Sequence, residues 1–133
     1  MSSDRSLLGR RVFIVEDEMI IAWLLEQTLS ELGYEVVGHA TRVKEALTMV
    51  AVKEFDVVLL DINLNGEKSY PVADALTARG IPFFFSTAYN KDSLPTDYRD
   101  YPILQKPYNH NKLAAMLTTL LTPKEQNLVR LSG

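Results

Sequence analysis

Two acids, Glu16 and Asp17, stand directly after the apolar run Val12-Phe13-Ile14-Val15, with Glu18 next. Asp61 stands directly after a second strong run, Val57-Val58-Leu59-Leu60. Ser86 and Thr87 follow the run from Ile81 to Phe85, and Lys106 and Pro107 come just after Ile103-Leu104. These are the residue types that phosphoryl chemistry needs. Carboxylates are hard oxygen ligands, and Mg²⁺ favours one or two of them together with water and phosphate oxygens. Three acids crowded at one rim repel one another by roughly 4 kcal/mol per pair at 4 Å and an effective dielectric of 20. A divalent cation and the ammonium of Lys106 together cancel that charge. An ionised Asp61 can attack phosphorus, a reaction that asks mainly for positioning and charge stabilisation. The Thr87 hydroxyl can donate to a phosphoryl oxygen.

Composition removes most other chemistries. The chain has 133 residues, a net charge of −3 and a 47% hydrophobic fraction, which suits one domain and excludes a disordered chain. It has no cysteine, so disulfides, thiolate metal sites and cysteine nucleophiles are excluded. His39 and His110 are its only imidazoles, a poor basis for a transition-metal site. Neither a dinucleotide-binding glycine motif nor a P-loop occurs. No basic stripe points to nucleic acid, and no apolar run or signal peptide points to a membrane, so a cytoplasmic protein is expected. Residues 1–10 read as a polar leader, 11–122 as the domain, and 123–133 as a tail carrying Leu128, Val129 and Leu131.

The elements that must position these residues follow from periodicity. Runs at Val12–Val15, Val36–Val37, Val57–Leu60, Ile81–Phe85 and Ile103–Leu104 read as strands. Apolar runs without alternation suit a parallel sheet covered on both faces. Helices are expected at about 18–32, 42–53, 70–79 and 110–121, with Gly33 and Gly80 as helix stops. This alternation predicts right-handed βαβ units and a doubly wound five-stranded α/β fold. In such sheets ligands bind beyond the carboxyl ends of the strands, where the candidate residues gather. The interval 88–102 breaks the pattern, with Pro95, Pro102 and three aspartates. It predicts a weakly held loop with one or two helical turns near Ser93–Arg99 in place of a fourth helix.

The segments Val15-Glu16-Asp17-Glu18, Leu60-Asp61-Ile62-Asn63, Ser86-Thr87-Ala88 and Gln105-Lys106-Pro107-Tyr108 resemble the receiver domain of two-component response regulators. The resemblance covers about residues 10–121 and implies a flavodoxin-like fold. It implies that Asp61 accepts a phosphoryl group from a sensor histidine kinase or a histidine phosphotransfer protein. It also implies that Glu16, Asp17, Asp61 and the main-chain carbonyl of Asn63 hold Mg²⁺. Thr87 would be the switch hydroxyl and Lys106 the phosphoryl-contacting lysine. A narrower likeness, to the stand-alone "FAT GUY" receivers, rests on Asn63–Glu67, Tyr70–Ala73, Pro82–Tyr89 and Pro102–Tyr108. Ser86 and Ala88 depart from that group's usual Ala and Gly, and Ile103 replaces the aromatic residue many receivers carry on the fifth strand.

The first helix is apolar for seven residues, Met19 to Leu25, more than one inward stripe needs. Ile21, Leu24, Leu25, Leu29 and Leu32 can face the sheet. Met19, Ile20 and Trp23 then form a partner-docking patch or pack on a neighbouring element, and Tyr89 and Tyr108 are further partner-contact candidates. Lys53, Lys91 and Arg99 read as solvated charges.

The functional expectation is a non-enzymatic phospho-acceptor working as relay shuttle, phosphate sink or partner-binding switch, monomeric or weakly dimeric. Its downstream target would be another protein. Two other classes compete. A haloacid-dehalogenase-like phosphatase would want an acid where Asn63 stands, and a pseudo-receiver would bind a partner without phosphorylation.

Overall fold

The computed structural model describes residues 9–122. Most of the proposed leader and all of the proposed tail, including Leu128, Val129 and Leu131, lie outside the described residues. Five parallel strands form one sheet: β1 (Arg11–Val15), β2 (Glu35–Ala40), β3 (Val57–Asp61), β4 (Phe83–Thr87) and β5 (Ile103–Gln105). Their spatial order is β2-β1-β3-β4-β5, the flavodoxin-like arrangement. Helices α1 (Met19–Glu31), α2 (Val43–Val52), α3 (Tyr70–Arg79) and α4 (His110–Leu121) cover its faces.

The unbroken apolar runs are explained by two cores. Phe13, Val15, Val58, Leu60, Phe83 and Phe85 pack with α2 and α3 on one face. Val12, Ile14, Val57, Leu59, Phe84 and Leu104 pack with α1 and α4 on the other. β1 is fully buried from Val12 onward and β3 throughout. β2 is longer than the pair Val36–Val37 suggested. It is an edge strand whose residues are mostly half-buried, so Glu35, Gly38 and His39 are tolerated there. Ser86, Thr87 and Asp61 lie within strands rather than after them, because Asp61 pairs with Ser86 and Thr87 pairs with Gln105.

The inward stripe of α1 is Ala22, Leu25 and Leu29, while Leu24 is 52% exposed. Leu24 therefore joins Met19, Ile20 and Trp23 on the outer face, a correction to the expected stripe. Small Ala22 takes an inward place because it sits three residues before Leu25 and seven before Leu29, on one face of the helix.

No α-helix forms between β4 and β5, as anticipated; two short 3₁₀ turns, Lys91–Ser93 and Thr96–Tyr98, take its place. The expectation that this segment is weakly held is corrected from Leu94 onward, while residues 88–93 are exposed. Leu94 is 2% exposed and packs into the α2–α3 core. Tyr98 stacks on Tyr70 at 4.3 Å, and Tyr101 lies 4.9 Å from Phe83. The Tyr98 hydroxyl donates to both Asp74 carboxylate oxygens, and the Tyr101 and Thr77 hydroxyls are 3.0 Å apart. Arg99 is not a solvated charge. Its guanidinium donates to the carbonyls of Leu94 and Asp92 and ties the strap to itself. The anchors escaped the periodicity reading because their spacing is not helical.

Replacing Tyr98 by Ala removes both the stacked ring and the bond to Asp74. Urea titration is expected to show a loss of about 2 kcal/mol, because a half-exposed ring costs less than a fully buried one. Amide exchange should rise in residues 91–101 and stay unchanged in α2. Equal protection in parent and variant would mean the strap is held by something else.

A candidate phosphoryl-acceptor site

The carboxyl ends of β1, β3, β4 and β5 meet at one rim. Glu16 and Asp17 follow β1 directly, and the Glu16 amide continues the ladder by donating to the Ala40 carbonyl. Asp61 is the last residue of β3, the central strand. One carboxylate oxygen from each of Glu16, Asp17 and Asp61 falls within a cluster 4.8 Å across. Glu16 is 1% exposed and Asp61 8%, so two of the three acids are withdrawn from water.

Lys106 is the counter-charge. Its ammonium lies 3.1 Å from Glu16 Oε1 and 3.4 Å from Asp61 Oδ2. Its amide donates to the Thr87 carbonyl at 2.7 Å, which fixes where the side chain starts. The Lys106–Pro107 peptide is cis.

Protonation follows from this crowding. Burial pushes the Glu16 carboxyl up to about 7; the Glu18 amide and Lys106 oppose this, and the Asp61 charge adds to it. Burial likewise raises Asp61, against the pull of Lys106. Burial alone would lower the Lys106 ammonium, but the carboxylates of Asp61 and Glu16 outweigh it and raise it. One ammonium thus stands beside two buried acids and a third at their edge. This hard-oxygen donor set fits a small divalent cation, whose charge would relieve the excess.

The backbone around the acids is tied down. The Ser69 hydroxyl, fully buried, donates to the Asp61 carbonyl at 2.6 Å, and the Ser69 amide donates to the Ile62 carbonyl. Residues 63–68 form a small hairpin in which Asn63 pairs with Lys68 and Leu64 with Glu67. Its turn is Asn65-Gly66 with φ of 52° and 89°, the left-handed pair that a two-residue hairpin demands. The Asn65 amide then donates to Asp17 Oδ2 at 2.9 Å and orients that carboxylate. Ser69 and Asn65 were not among the sequence candidates. The Asn-Gly dipeptide was the available signal for the hairpin; nothing local marks Ser69.

Thr87 is 2% exposed, and its hydroxyl accepts from the Tyr89 amide at 3.1 Å. Asn63, which the resemblance makes a carbonyl ligand, is exposed in the hairpin next to Asp61. Of the partner-contact candidates, Met19, Ile20, Trp23 and Tyr89 are all more than 40% exposed. The Lys68 ammonium lies 5.2 Å over the Tyr89 ring. Tyr108 differs, being half-buried with its hydroxyl 3.3 Å from Ser86 Oγ.

The Glu16 environment makes stability depend on pH. An acid whose folded pKa exceeds its unfolded value costs nothing below the unfolded pKa, here 4.5. The cost grows as pH rises to about 7 and is constant above. Glu16→Gln removes it. In metal-free buffer the variant should gain on the parent between those limits, by at most about 3 kcal/mol at pH 7.5. Parallel stability curves for the two proteins would contradict buried ionisation at Glu16.

Comparison with known proteins agrees with this geometry. Residues 12–118 match the model of the response regulator receiver domain. SdrG from Sphingomonas melonis is 44% identical, with a TM-score of 0.75 over 92% of this chain and all of that one. SdrG has also been solved in a BeF3-activated conformation. The receiver domain of sensor histidine kinase PA1611 from Pseudomonas aeruginosa is 23% identical and shares the fold, with a TM-score of 0.72 over 85% of this chain and 98% of that one. Its active-site cleft coordinates a magnesium ion. The transcriptional regulatory protein PdtaR of Mycobacterium tuberculosis is 32% identical over 108 residues, which are 78% of this chain and 53% of PdtaR. The chain spans about half the length of the curated relatives it matches. With its receiver fold and the acids and lysine gathered at one rim, the chain belongs to the response regulator receiver domain family.

Proposed function

We propose that this receiver accepts a phosphoryl group on Asp61 from a sensor histidine kinase or a histidine phosphotransfer protein, with Mg²⁺ as cofactor. The observation that carries the reading is the Lys106 ammonium bridging Glu16 and Asp61, with the Asp17 carboxylate alongside. Glu16, Asp17 and Asp61 would hold the ion, with the Asn63 carbonyl as a further ligand. Bound there, Mg²⁺ supplies positive charge for the transferring phosphoryl oxygens. The Asp61 oxygen forms the new P–O bond as the P–N bond to the donor imidazole breaks. The imidazole leaves with the electron pair and takes a proton from solvent. Lys106 stabilises the added negative charge, and the Thr87 hydroxyl turns to donate to a phosphoryl oxygen.

On this reading the chain is a signalling acceptor rather than an enzyme with turnover. Asn63, two residues after Asp61, cannot protonate a leaving group, which disfavours a phosphatase. Met19, Ile20, Trp23 and Leu24, exposed beside the rim, offer the approach surface for the donor. The FAT GUY likeness implies loss of the fourth helix, and the two 3₁₀ turns between β4 and β5 accord with that. Phosphorylation-dependent binding of a protein target is favoured among the three roles, because Thr87 joins the site directly to Tyr89, an exposed aromatic. Among the described residues no helix is long and apolar enough to cross a membrane.

Mass spectrometry after incubation with acetyl phosphate and Mg²⁺ is expected to show one phosphoryl adduct, absent in Asp61→Asn. Asp17→Asn should weaken Mg²⁺ binding at least about tenfold, since a charge-assisted contact carries ~1.5–3 kcal/mol. An adduct that survives in Asp61→Asn would move the acceptor elsewhere. No adduct on the parent would favour a pseudo-receiver.

A further inference from the structure

Lys106 must hold its ammonium between two carboxylates although its side chain is long and flexible. Its backbone therefore has to be fixed from outside. Three ties fasten the segment around it to the end of β4. The Lys106 amide donates to the Thr87 carbonyl, and the Gln105 side-chain amide donates to the Ala88 carbonyl at 3.4 Å. The third is the Ser86–Tyr108 hydroxyl pair at 3.3 Å. The three ties land on consecutive residues, Ser86, Thr87 and Ala88. Only the last joins two side chains.

Ser86 is fully buried and pairs in the sheet with both Asp61 and Leu104. An isolated hydroxyl there would be an unsatisfied polar group, so Tyr108 is the partner it requires. The Tyr108 hydroxyl is also close enough to Lys106, Glu16 and Asp61 to feel their charges. The ring of Tyr108, with Pro107, forms one wall of a groove of about 380 Å³. Ile21, Leu24, Leu25 and Thr28 of α1 form the other. Leu113 of α4 and Lys106 itself also line the groove, so it meets the acidic rim at Lys106, with Tyr108 beside it.

We propose that Tyr108, through its hydrogen bond to Ser86, is a positioning residue for Lys106, so that the wall of the α1–α4 groove is part of the geometry that accepts the phosphoryl group. This rests on the phospho-acceptor reading of Asp61. Neither hydroxyl touches the reacting atoms; the pair holds the start of the loop that carries the ammonium.

The test uses the full chain, Mg²⁺ and acetyl phosphate, a donor too small to fill the groove. Tyr108→Phe keeps the ring and loses the hydroxyl, and Ser86→Ala loses the other half of the pair. Each is expected to slow phosphorylation about three- to tenfold, the range of one hydrogen bond. The double variant should be no slower than either single one. In a Lys106→Ala background Tyr108→Phe should have no further effect. Mg²⁺ affinity should be unchanged in both single variants. Each single variant leaves the other hydroxyl of the pair without its partner, so rates are compared well below unfolding temperatures, with the double variant, which removes both hydroxyls, as the control for that cost. Parental rates in both single variants overturn the proposal. So does a Tyr108→Phe effect that persists without Lys106, or one that follows a loss of metal affinity. A parent that takes no phosphoryl group at all would instead overturn the acceptor reading beneath it.

Discussion

Three carboxylates share one rim with a single ammonium in contact with two of them. Left to itself the chain would separate those charges or protonate them. The upward shifts at Glu16 and Asp61 show that burial is the main cost, with mutual repulsion added to it. Like charges stay together only where the backbone beneath them cannot yield. A parallel sheet buried on both faces is such a support, because its strand ends are fixed by apolar packing on two sides. The acids stand at the ends of β1 and β3, adjacent strands at the centre of the sheet. The core's stability is thereby spent on an electrostatically strained site, the usual relation between a rigid scaffold and a reactive one.

The face where a fourth crossover helix is missing shows how the same core tolerates irregular backbone. An α-helix would bury a periodic stripe. Here Leu94, just after the first turn, Tyr98, ending the second, and Tyr101 beyond it do the covering. Large rings suit this task because each contributes much apolar area from one backbone position. Their hydroxyls then find Asp74 and Thr77 on α3, so the polar ends are satisfied at the surface. Below Tyr98 the strap is packed. Above it, around Tyr89 to Asp92, the chain is exposed.

Much of this was legible because strand ends are both structural and chemical landmarks. Apolar runs mark β1, β3 and β4, and the site residues stand at their ends: Glu16 and Asp17, Asp61, and Thr87 one place past Ser86. β2 and β5 were shorter in the reading than in the molecule. Edge strands bury less and so carry weaker apolar signals, as Glu35 and Gln105 show. The three acids and Lys106 came together as their positions implied. Ser69 and the Asn65 amide did not emerge, since a hydrogen bond to a main-chain atom leaves no pattern in residue type. The strap reads from sequence as non-helical, but its prolines and aspartates hide the hold that begins at Leu94. Periodicity reports regular elements and is silent about aromatic residues that pack one at a time. Leu24 was placed inward for a related reason: in an all-apolar stretch, hydrophobicity alone does not say which stripe faces the sheet.

The ties around the site divide its groups into two kinds. Asp17 is oriented by the Asn65 amide, Glu16 accepts from the Glu18 amide, and the Asp61 carbonyl is held by Ser69. These acids are placed before any phosphoryl group arrives, and preorganised charge costs no rearrangement at the moment of reaction. The Thr87 hydroxyl and the Lys106 ammonium are held differently. Each is fixed through its backbone and held at its tip by side-chain contacts, Lys106 on Glu16 and Asp61 and Thr87 on the Tyr89 amide, that a change at Asp61 would rearrange. A new negative group on Asp61 would therefore act first on those two tips. The Thr87 hydroxyl already accepts from the Tyr89 amide, so turning to donate to the new group would pull on the exposed start of the strap while Leu94 and Tyr98 hold the remainder. Lys106 leads directly into Tyr108 and α4. Two outlets leave the rim in opposite directions along the sheet faces, one to the strap beside α3 and one to the groove beside α1. On the phospho-acceptor reading, the same chemical event would reach both helical layers.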